Sequence, residues 1–337
     1  MTQEQVARHA RVSPSTVSRV LNNTCAVSSG VRARVVKAVE ELRYSPNLDA
    51  RGLAGGSRSV GVIVSNFENP FFVDIYKAVE SAAGIAGFDV IMANTGYSPE
   101  RLTASVRLMI GRRVAGLAAM VSQMDPGLIA ELNEYRIPTV FYNVGAPGSN
   151  LANIRVNYRR GMEKLTAYLY SLGHRRVGFV GRHATLGPID ERQIAVLDAV
   201  GCYPDLRAET AVDEDTLEGG RRAARMVLAA NSAITAVICA NDLMALGALR
   251  ELRDQGLRVP HDISVTGFDN IKLAQFSDPP LTSVHISREE IGRIICDCLF
   301  GRTTLPEREF VIDPELVLRD STGPAAPSCR VGDPQVD

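Results

Sequence analysis

The 337-residue sequence lacks the short motifs that mark the commoner enzyme classes. It has no G-x-G-x-x-G or G-x-x-x-x-G-K-[ST] loop to cradle phosphates, no G-x-S-x-G nucleophile elbow and no H-E-x-x-H metal pair. Histidines are scarce. His9, His183, His261 and His285 have no acid or nucleophile beside them in sequence, and His174, in "LGHRR" at a predicted helix-to-strand turn, reads as a helix C-terminal cap rather than a base. No enzymatic activity, metal or cofactor is expected.

Cysteine is equally uninformative as chemistry. Cys25, Cys202, Cys239, Cys296, Cys298 and Cys329 are scattered, never as C-x-x-C, so reduced structural thiols in a cytoplasmic protein are expected rather than disulfides or zinc. Long apolar runs are missing too: the longest are strand-sized and the N-terminus has no signal core, so neither secretion nor membrane spanning is expected. Net charge is nearly absent at −1, but it is unevenly placed. Residues 1–58 hold nine Arg/Lys against four Asp/Glu, leaving +5, and the remainder is −6. A small basic head on an acidic body predicts that the head meets a polyanion.

What is present is organised. Hydrophobic content of 45% with 22% charged residues is that of a soluble globular chain, and the length predicts two or three domains. Residues 1–44 read as three short helices. The first spans Gln3–Ala10 with Val6, Ala7 and Ala10 on one face. Ser13 as N-cap and Pro14 at the first helical position start a second over Pro14–Leu21, facing inward with Val17, Val20 and Leu21. A third begins near Ser28 or Ser29 and runs to Arg43, burying Val31, Val35, Val39 and Leu42. Pro46 ends it. Asn47 then caps a two-turn segment ending at Ala54, with Gly52 inside it and Gly55 and Gly56 after it. Glycine costs about 1 kcal/mol in a helix. This segment therefore reads either as a hinge that folds only when held or as a plain flexible linker.

From Val60 onward, apolar strands alternate with amphipathic helices. Strands are predicted at "VGVIV", "FDVIMA", "VAGLAAMV", "IPTVFY", "NIRV", "RRVGFVG", "AITAVICA" and "ISVTGF", and helices over Phe72–Gly87, Tyr158–Leu172 and Asp242–Gln255 among others. The expected fold is an all-α helix-turn-helix head followed by an α/β core of two doubly wound parallel-sheet lobes, with ligands at the carboxyl ends of the strands. The Pro/Gly-rich tail after Thr322 reads as disordered.

The helix "SPSTVSRV" joins one arginine to several small hydroxylated residues. A guanidinium can bind guanine O6 and N7 bidentately in the major groove, while hydroxyls reach phosphate oxygens and fix the register. Core packing of a short capped helix is the plainer alternative.

Beyond this, "VARHARVSPSTVSRVLNN" followed by "VSSGVRARVVKAVEELRYSPNLDARGL" resembles the DNA-binding head and hinge of the lactose/galactose repressor (LacI/GalR) family. "SVGVIVSNFENPFF", "SLGHRRVGFVG", "AVICANDLMALGALRELRDQGLRVPHDISVTGFDN" and "DPPLTSV" resemble that family's periplasmic-binding-protein-like effector core, so the likeness runs to about Thr322. It implies a head at 1–44, a hinge at 45–57, a first lobe from 58–157 and 285–314, a second from 158–284 and 315–325, and a tail at 326–337. It implies base reading by Pro14, Ser15 and Arg19, with Arg19 on guanine, and phosphate contacts by Thr16, Ser18, Asn22 and Ser28. In the hinge it implies DNA contact by Asn47, Leu53 and Ala54, with Leu53 wedged into the minor groove to bend the operator. Pro14 has no N–H to donate, so it would read shape or a thymine methyl.

Between the lobes the likeness implies an effector, a sugar or sugar derivative, facing Asn69, Phe71, Phe72 and Asn143 from the first lobe and Arg192, Asp215, Asn241 and Asp269 from the second. Aromatic faces suit the C–H side of a sugar, and Arg, Asn and Asp suit its hydroxyls. Core packing is the alternative for Phe71 and Phe72, and a solvated surface or a lobe-closing ion pair for Arg192 and Asp269. The family's frequent Asp-Arg pair is Asn143-Val144 here, and a second frequent Asp is Asn157, so no particular sugar follows. The implied protein is a homodimeric repressor on a pseudo-palindromic operator. Residues 323–337 contain no leucine for a tetramerising heptad. A solute-binding protein of transport would share the core but not need a basic head; a nucleotide-dependent dehydrogenase would need the phosphate loop that is missing.

Overall fold

The computed structural model describes residues 2–22, 27–42, 58–121, 124–143, 150–183, 191–300 and 309–326. The chain divides into two compact units, Met1–Ser57 and Arg58–Asp337.

Among the described residues the first unit has three helices: α1 (Gln3–Ala10), α2 (Pro14–Asn22) and α3 (Ser29–Glu41). Each boundary has a local cause. Thr2 and Gln5 form a reciprocal capping box on α1, and Arg11 ends it in the left-handed region with φ 53°. Ser13 Oγ accepts the Thr16 N–H at 3.1 Å and starts α2, where Pro14 gives up no helical hydrogen bond. Val6, Ala7, Ala10, Val17, Val20, Val35 and Ala38 form the head's core. Leu21 and Leu42, expected in the seam, are only half-buried, and two further details differ from the expected stripe. Ala38 rather than Val39 is the fully buried residue on the last turns of α3, and Val31 is only half-buried, because the 3.6-residue repeat rotates a strict four-residue spacing off the seam. Ser28 caps α3 by position, but its hydroxyl makes no hydrogen bond to the helix.

The described residues of the second unit form two six-stranded sheets. One has the order β11-β5-β4-β3-β1-β2, the other β12-β10-β9-β8-β6-β7. The first combines β1 (Ser59–Val64), β2 (Asp89–Asn94), β3 (Gly116–Met120), β4 (Thr139–Tyr142), β5 (Leu151–Val156) and β11 (Glu309–Ile312), all parallel. The second combines β6 (Arg176–Arg182), β7 (Arg207–Asp213), β8 (Ala236–Cys239), β9 (Ser264–Asp269), β10 (Thr282–His285) and β12 (Glu315–Val317), parallel except for β12 against β10. The chain therefore crosses between lobes three times, after β5, after β10 and after β11.

Helices cover both faces of each sheet. In β1, Val60, Val62 and Val64 join one apolar cluster and Ile63 the other, which is why the strand reads as an unbroken apolar run. No described helix is long and apolar enough to cross a membrane.

Candidate functional site

On the head, α2 presents Pro14, Ser15 and Arg19 to solvent, with Thr16 and Ser18 half-buried beside them. Ser13 Oγ lies 2.8 Å from both Ser15 Oγ and Thr16 Oγ1, so the hydroxyls sit as one cluster at the helix start. Val17 and Val20 face the core, which leaves Arg19 turned outward. Asn22 ends the helix; its side chain, and all of Asn47, Leu53 and Ala54, lie outside the described residues.

In the core, the strand ends of the two lobes converge. Asn69 caps the helix Pro70–Ala86, accepting the Phe71 N–H at 3.0 Å. Phe72 is half-buried and meets Phe71 edge-on at 5.4 Å and Tyr142 at 6.4 Å. Phe71 is 1% exposed and belongs to the apolar core, so the packing alternative holds for Phe71 and Phe72 alone has a ring left to offer. Asn143, with φ 58°, donates from Nδ2 to the Tyr158 hydroxyl at 2.8 Å and accepts the Val156 N–H at 2.7 Å. Its amide is thus used in holding Tyr158.

The second lobe contributes charge. Arg192 Nη2 lies 3.2 Å from Asp269 Oδ1 and 3.3 Å from the Tyr158 hydroxyl, and its guanidinium stacks 4.6 Å and 5.0 Å from the Tyr158 and Phe268 ring centres. Both partners belong to the second lobe. The ion pair is buried within that lobe, so it is neither the solvated surface nor the lobe-closing pair weighed as the alternative for these two residues. Burial pushes the Asp269 carboxyl up to about 6, opposed by the Arg192 charge, reinforced by Asp215 and opposed again by a hydrogen bond from Asn69. Asp269 also has φ 97° and Asn270 φ 51°, a left-handed pair of non-glycine residues that only the surrounding contacts can hold.

Asp215 is one point where the lobes meet. Its Oδ1 accepts from Asn241 Nδ2 at 2.5 Å, its Oδ2 accepts from the Tyr97 hydroxyl, and its main-chain oxygen accepts from Asn66 Nδ2 at 2.8 Å. Burial and the Asp215 charge hold the Tyr97 phenol well above its ordinary range, so it remains a donor. Asn241 has a second task, capping the helix Asp242–Asp254 through Met244 N–H.

The structure therefore brings Asn69, Phe72, Asn143, Arg192, Asp215, Asn241 and Asp269 to one interlobe region. Sequence reasoning missed Asn66, Tyr97, Tyr142, Tyr158 and Phe268. The one available signal was the turn "NTGYS", where Gly96 and Tyr97 both adopt positive φ. His174 closes the helix end as expected and has a further task. Its N–H donates to the Leu169 carbonyl, and its buried ring bridges Thr235 Oγ1 at 2.8 Å and the Gly323 carbonyl at 3.1 Å. Among the described residues no His, Cys, Asp and Glu cluster could hold a metal ion.

Comparison with known proteins agrees with this architecture. Residues 2–47 match the model for bacterial regulatory proteins of the lacI family, and residues 166–322 that for a periplasmic binding protein-like domain. The HTH-type transcriptional repressor PurR of Vibrio campbellii is 35% identical over 332 residues, covering 95% of this chain and 98% of that protein. The lac repressor dimer bound to operator and the anti-inducer ONPF has a TM-score of 0.76 at 26% identity, over 96% of this chain and 99% of that one. The transcriptional regulator CelR–cellobiose complex has a TM-score of 0.68 at 29% identity, over 95% of this chain and 99% of that one.

Proposed function

Because the chain belongs to the lacI family of bacterial regulatory proteins, we propose that it is a homodimeric transcriptional repressor whose hold on a pseudo-palindromic operator is changed by a small effector bound between its lobes. It acts in the cytoplasm, as a regulator and not a catalyst. The observation that carries this reading is the pairing, in one chain, of an exposed arginine- and hydroxyl-bearing face on α2 with buried carboxylates at the strand ends of a two-lobed core.

In this reading, Arg19 binds a guanine and Pro14 and Ser15 read the neighbouring bases. Thr16, Ser18, Asn22 and Ser28 contact phosphates. Asn47, Leu53 and Ala54 meet the minor groove, where Leu53 opens a base step. Two copies of α2 one DNA turn apart give the operator its palindromic form.

The effector is a polyhydroxylated molecule of the sugar class. The Phe72 ring packs against its C–H face, and Arg192, Asp215, Asn241 and Asp269 meet its hydroxyls, with Asn69 and Asn143 positioning their neighbours. Likeness to a cellobiose-bound regulator favours this class. An effector changes DNA affinity only as far as it binds one lobe arrangement better than the other.

Deleting residues 1–57 provides the test. Operator binding, followed by fluorescence anisotropy on genomic fragments selected with the full chain, should vanish. Stabilisation of the remaining core by its sugar should survive. Retained operator binding overturns the head assignment.

A further inference from the structure

Arg288 is the first residue of the helix Arg288–Leu299, which packs on the first-lobe helix Pro70–Ala86, with Gly292 set against Ala78. Its side chain is 12% exposed and has two partners on different lobes. Nε lies 3.3 Å from Asp74 Oδ2, on the Pro70–Ala86 helix. Nη1 donates to the main-chain oxygen of Asp269 at 2.7 Å, across the interlobe boundary.

The remainder of the Asp269–Asn270 turn is held mostly from inside the second lobe, with Asn69 of the first lobe also hydrogen-bonding the Asp269 carboxyl. Arg192 meets the Asp269 carboxylate, Ser283 Oγ accepts the Asn270 N–H at 3.1 Å, and Arg319 Nη2 donates to Asn270 Oδ1 at 2.7 Å. The carbonyl of the strained residue is thus the part of the turn tied to the other lobe through a guanidinium. We infer that Arg288 is a lobe-bridging positioning residue: through Asp74 and the Asp269 carbonyl it holds the left-handed turn and couples the two lobes behind the effector region.

The geometry supports coupling over mere helix capping. The start of Arg288–Leu299 is already satisfied by Ser287, whose Oγ accepts the Glu290 N–H at 3.2 Å. The helix carrying Asp74 is the one whose first turn supplies Asn69 and Phe72. A shift of either lobe therefore lengthens the Arg288 contact to Asp269 or to Asp74. The bridge stands without any ligand; its influence on effector affinity rests on the function proposed above.

Amide hydrogen exchange on the full chain, with no ligand added, tests it in Arg288→Gln, Arg288→Lys and Asp74→Asn. Loss of a charge-assisted hydrogen bond should raise exchange about tenfold in Arg288→Gln, at residues 66–72 and 266–272 together. Arg288→Lys keeps a cation that reaches one partner and should recover part of the protection. Asp74→Asn retains the Asp269 contact and guards against a misfolded Arg288 variant; it should raise exchange at both segments by a smaller factor. Change confined to residues 288–292, no change in either segment, or no recovery with lysine would overturn the bridge. Because the experiment omits the effector, it stands or falls separately from the effector's identity.

Discussion

Arg192 and Asp269 hold each other inside the second lobe, Nη2 to Oδ1 at 3.2 Å, with side chains 11% and 2% exposed. Neither charge is cheap to bury. The guanidinium offsets part of the cost through the carboxylate and part through the faces of Tyr158 and Phe268. Burial still leaves the carboxyl raised to about 6, against 3.8 in the open chain. For an acid shifted upward, the folded state binds more protons than the unfolded state between those values. The contribution to stability is full below about pH 3.8 and is lost as pH rises through about 6.

Arg192→Leu should therefore destabilise the protein by roughly 3–5 kcal/mol at pH 8, since it leaves a buried carboxylate without a counter-charge. The loss should be smaller at pH 5, where Asp269 can take a proton instead. Urea unfolding at both pH values measures this. Equal losses would show that Asp269 is ionised in neither variant or is solvated in both.

The head and the sheet centres were legible because their patterns are local. Gln3–Ala10 has its cap, periodicity and breaker within eleven residues, and it forms as expected. The central strands are apolar on both faces. By contrast, β7, β10, β11 and β12 escaped the pattern. β7 lies at a sheet edge and reads "RAETAVD", half-exposed and polar; β10 is "TSVH", small hydroxyls buried by hydrogen bonds rather than by an apolar run. The site follows the same rule. Asp269 and Asn241 sit where strand ends place ligands in any doubly wound sheet. Tyr97 was invisible because its partner Asp215 is 118 residues away and lies on the other lobe.

Arg19→Ala should cost about 1–3 kcal/mol of operator affinity and relax preference at a single base position. Val17 and Val20 keep the helix in the core, so the fold should be unaffected. Competitive selection on randomised operators reads the preference. Uniform weakening across all sequences would make Arg19 a phosphate contact.

His174 anchors the C-terminal segment by accepting and donating at Thr235 Oγ1 and the Gly323 carbonyl. Burial lowers its pKa from the ordinary 6.5, so the unfolded chain binds the proton more readily. Stability should fall as pH drops below about 6.5. His174→Gln should cost about 1–3 kcal/mol at pH 7.5 and shed part of that acid sensitivity. Unfolding curves at pH 7.5 and 5.5 decide. An unchanged pH dependence would place the acid sensitivity elsewhere.

Gly220 and Gly247 let the helices Leu217–Ala230 and Asp242–Asp254 touch backbone to backbone. A Cβ on Gly220 would come 2.2 Å from the Met244 carbonyl oxygen, which no rotamer change relieves. Gly220→Ala should destabilise by at least about 1–3 kcal/mol. Since Met244 follows the Asn241 cap, the variant should also disturb the Asn241–Asp215 contact. A melting temperature within one degree of the parent (roughly, for a chain this size, a few tenths of a kcal/mol) would contradict the close approach.

Tyr97→Phe removes one hydroxyl and retains the ring on which Arg182 lies, 5.3 Å from its centre. Asp215 then loses the donor from the first lobe at Oδ2 while keeping Asn241 at Oδ1 and Asn66 at its main-chain oxygen. Two effects compete. Breaking a hydrogen bond to a carboxylate weakens the contact between the lobes by about 1.5–3 kcal/mol, whereas freeing Oδ2 offers a ligand hydroxyl a better acceptor. If the phenol serves the contact between the lobes, any sugar found to stabilise the parent in thermal shift should stabilise the variant less, because ligand binding must first restore the contact. If it occupies an acceptor that the effector needs, the shift should grow. The first outcome is expected, because the Asn66 and Tyr97 contacts reach Asp215 from the same lobe and only the phenol touches its carboxylate. An equal shift in variant and parent would remove Tyr97 from the effector site.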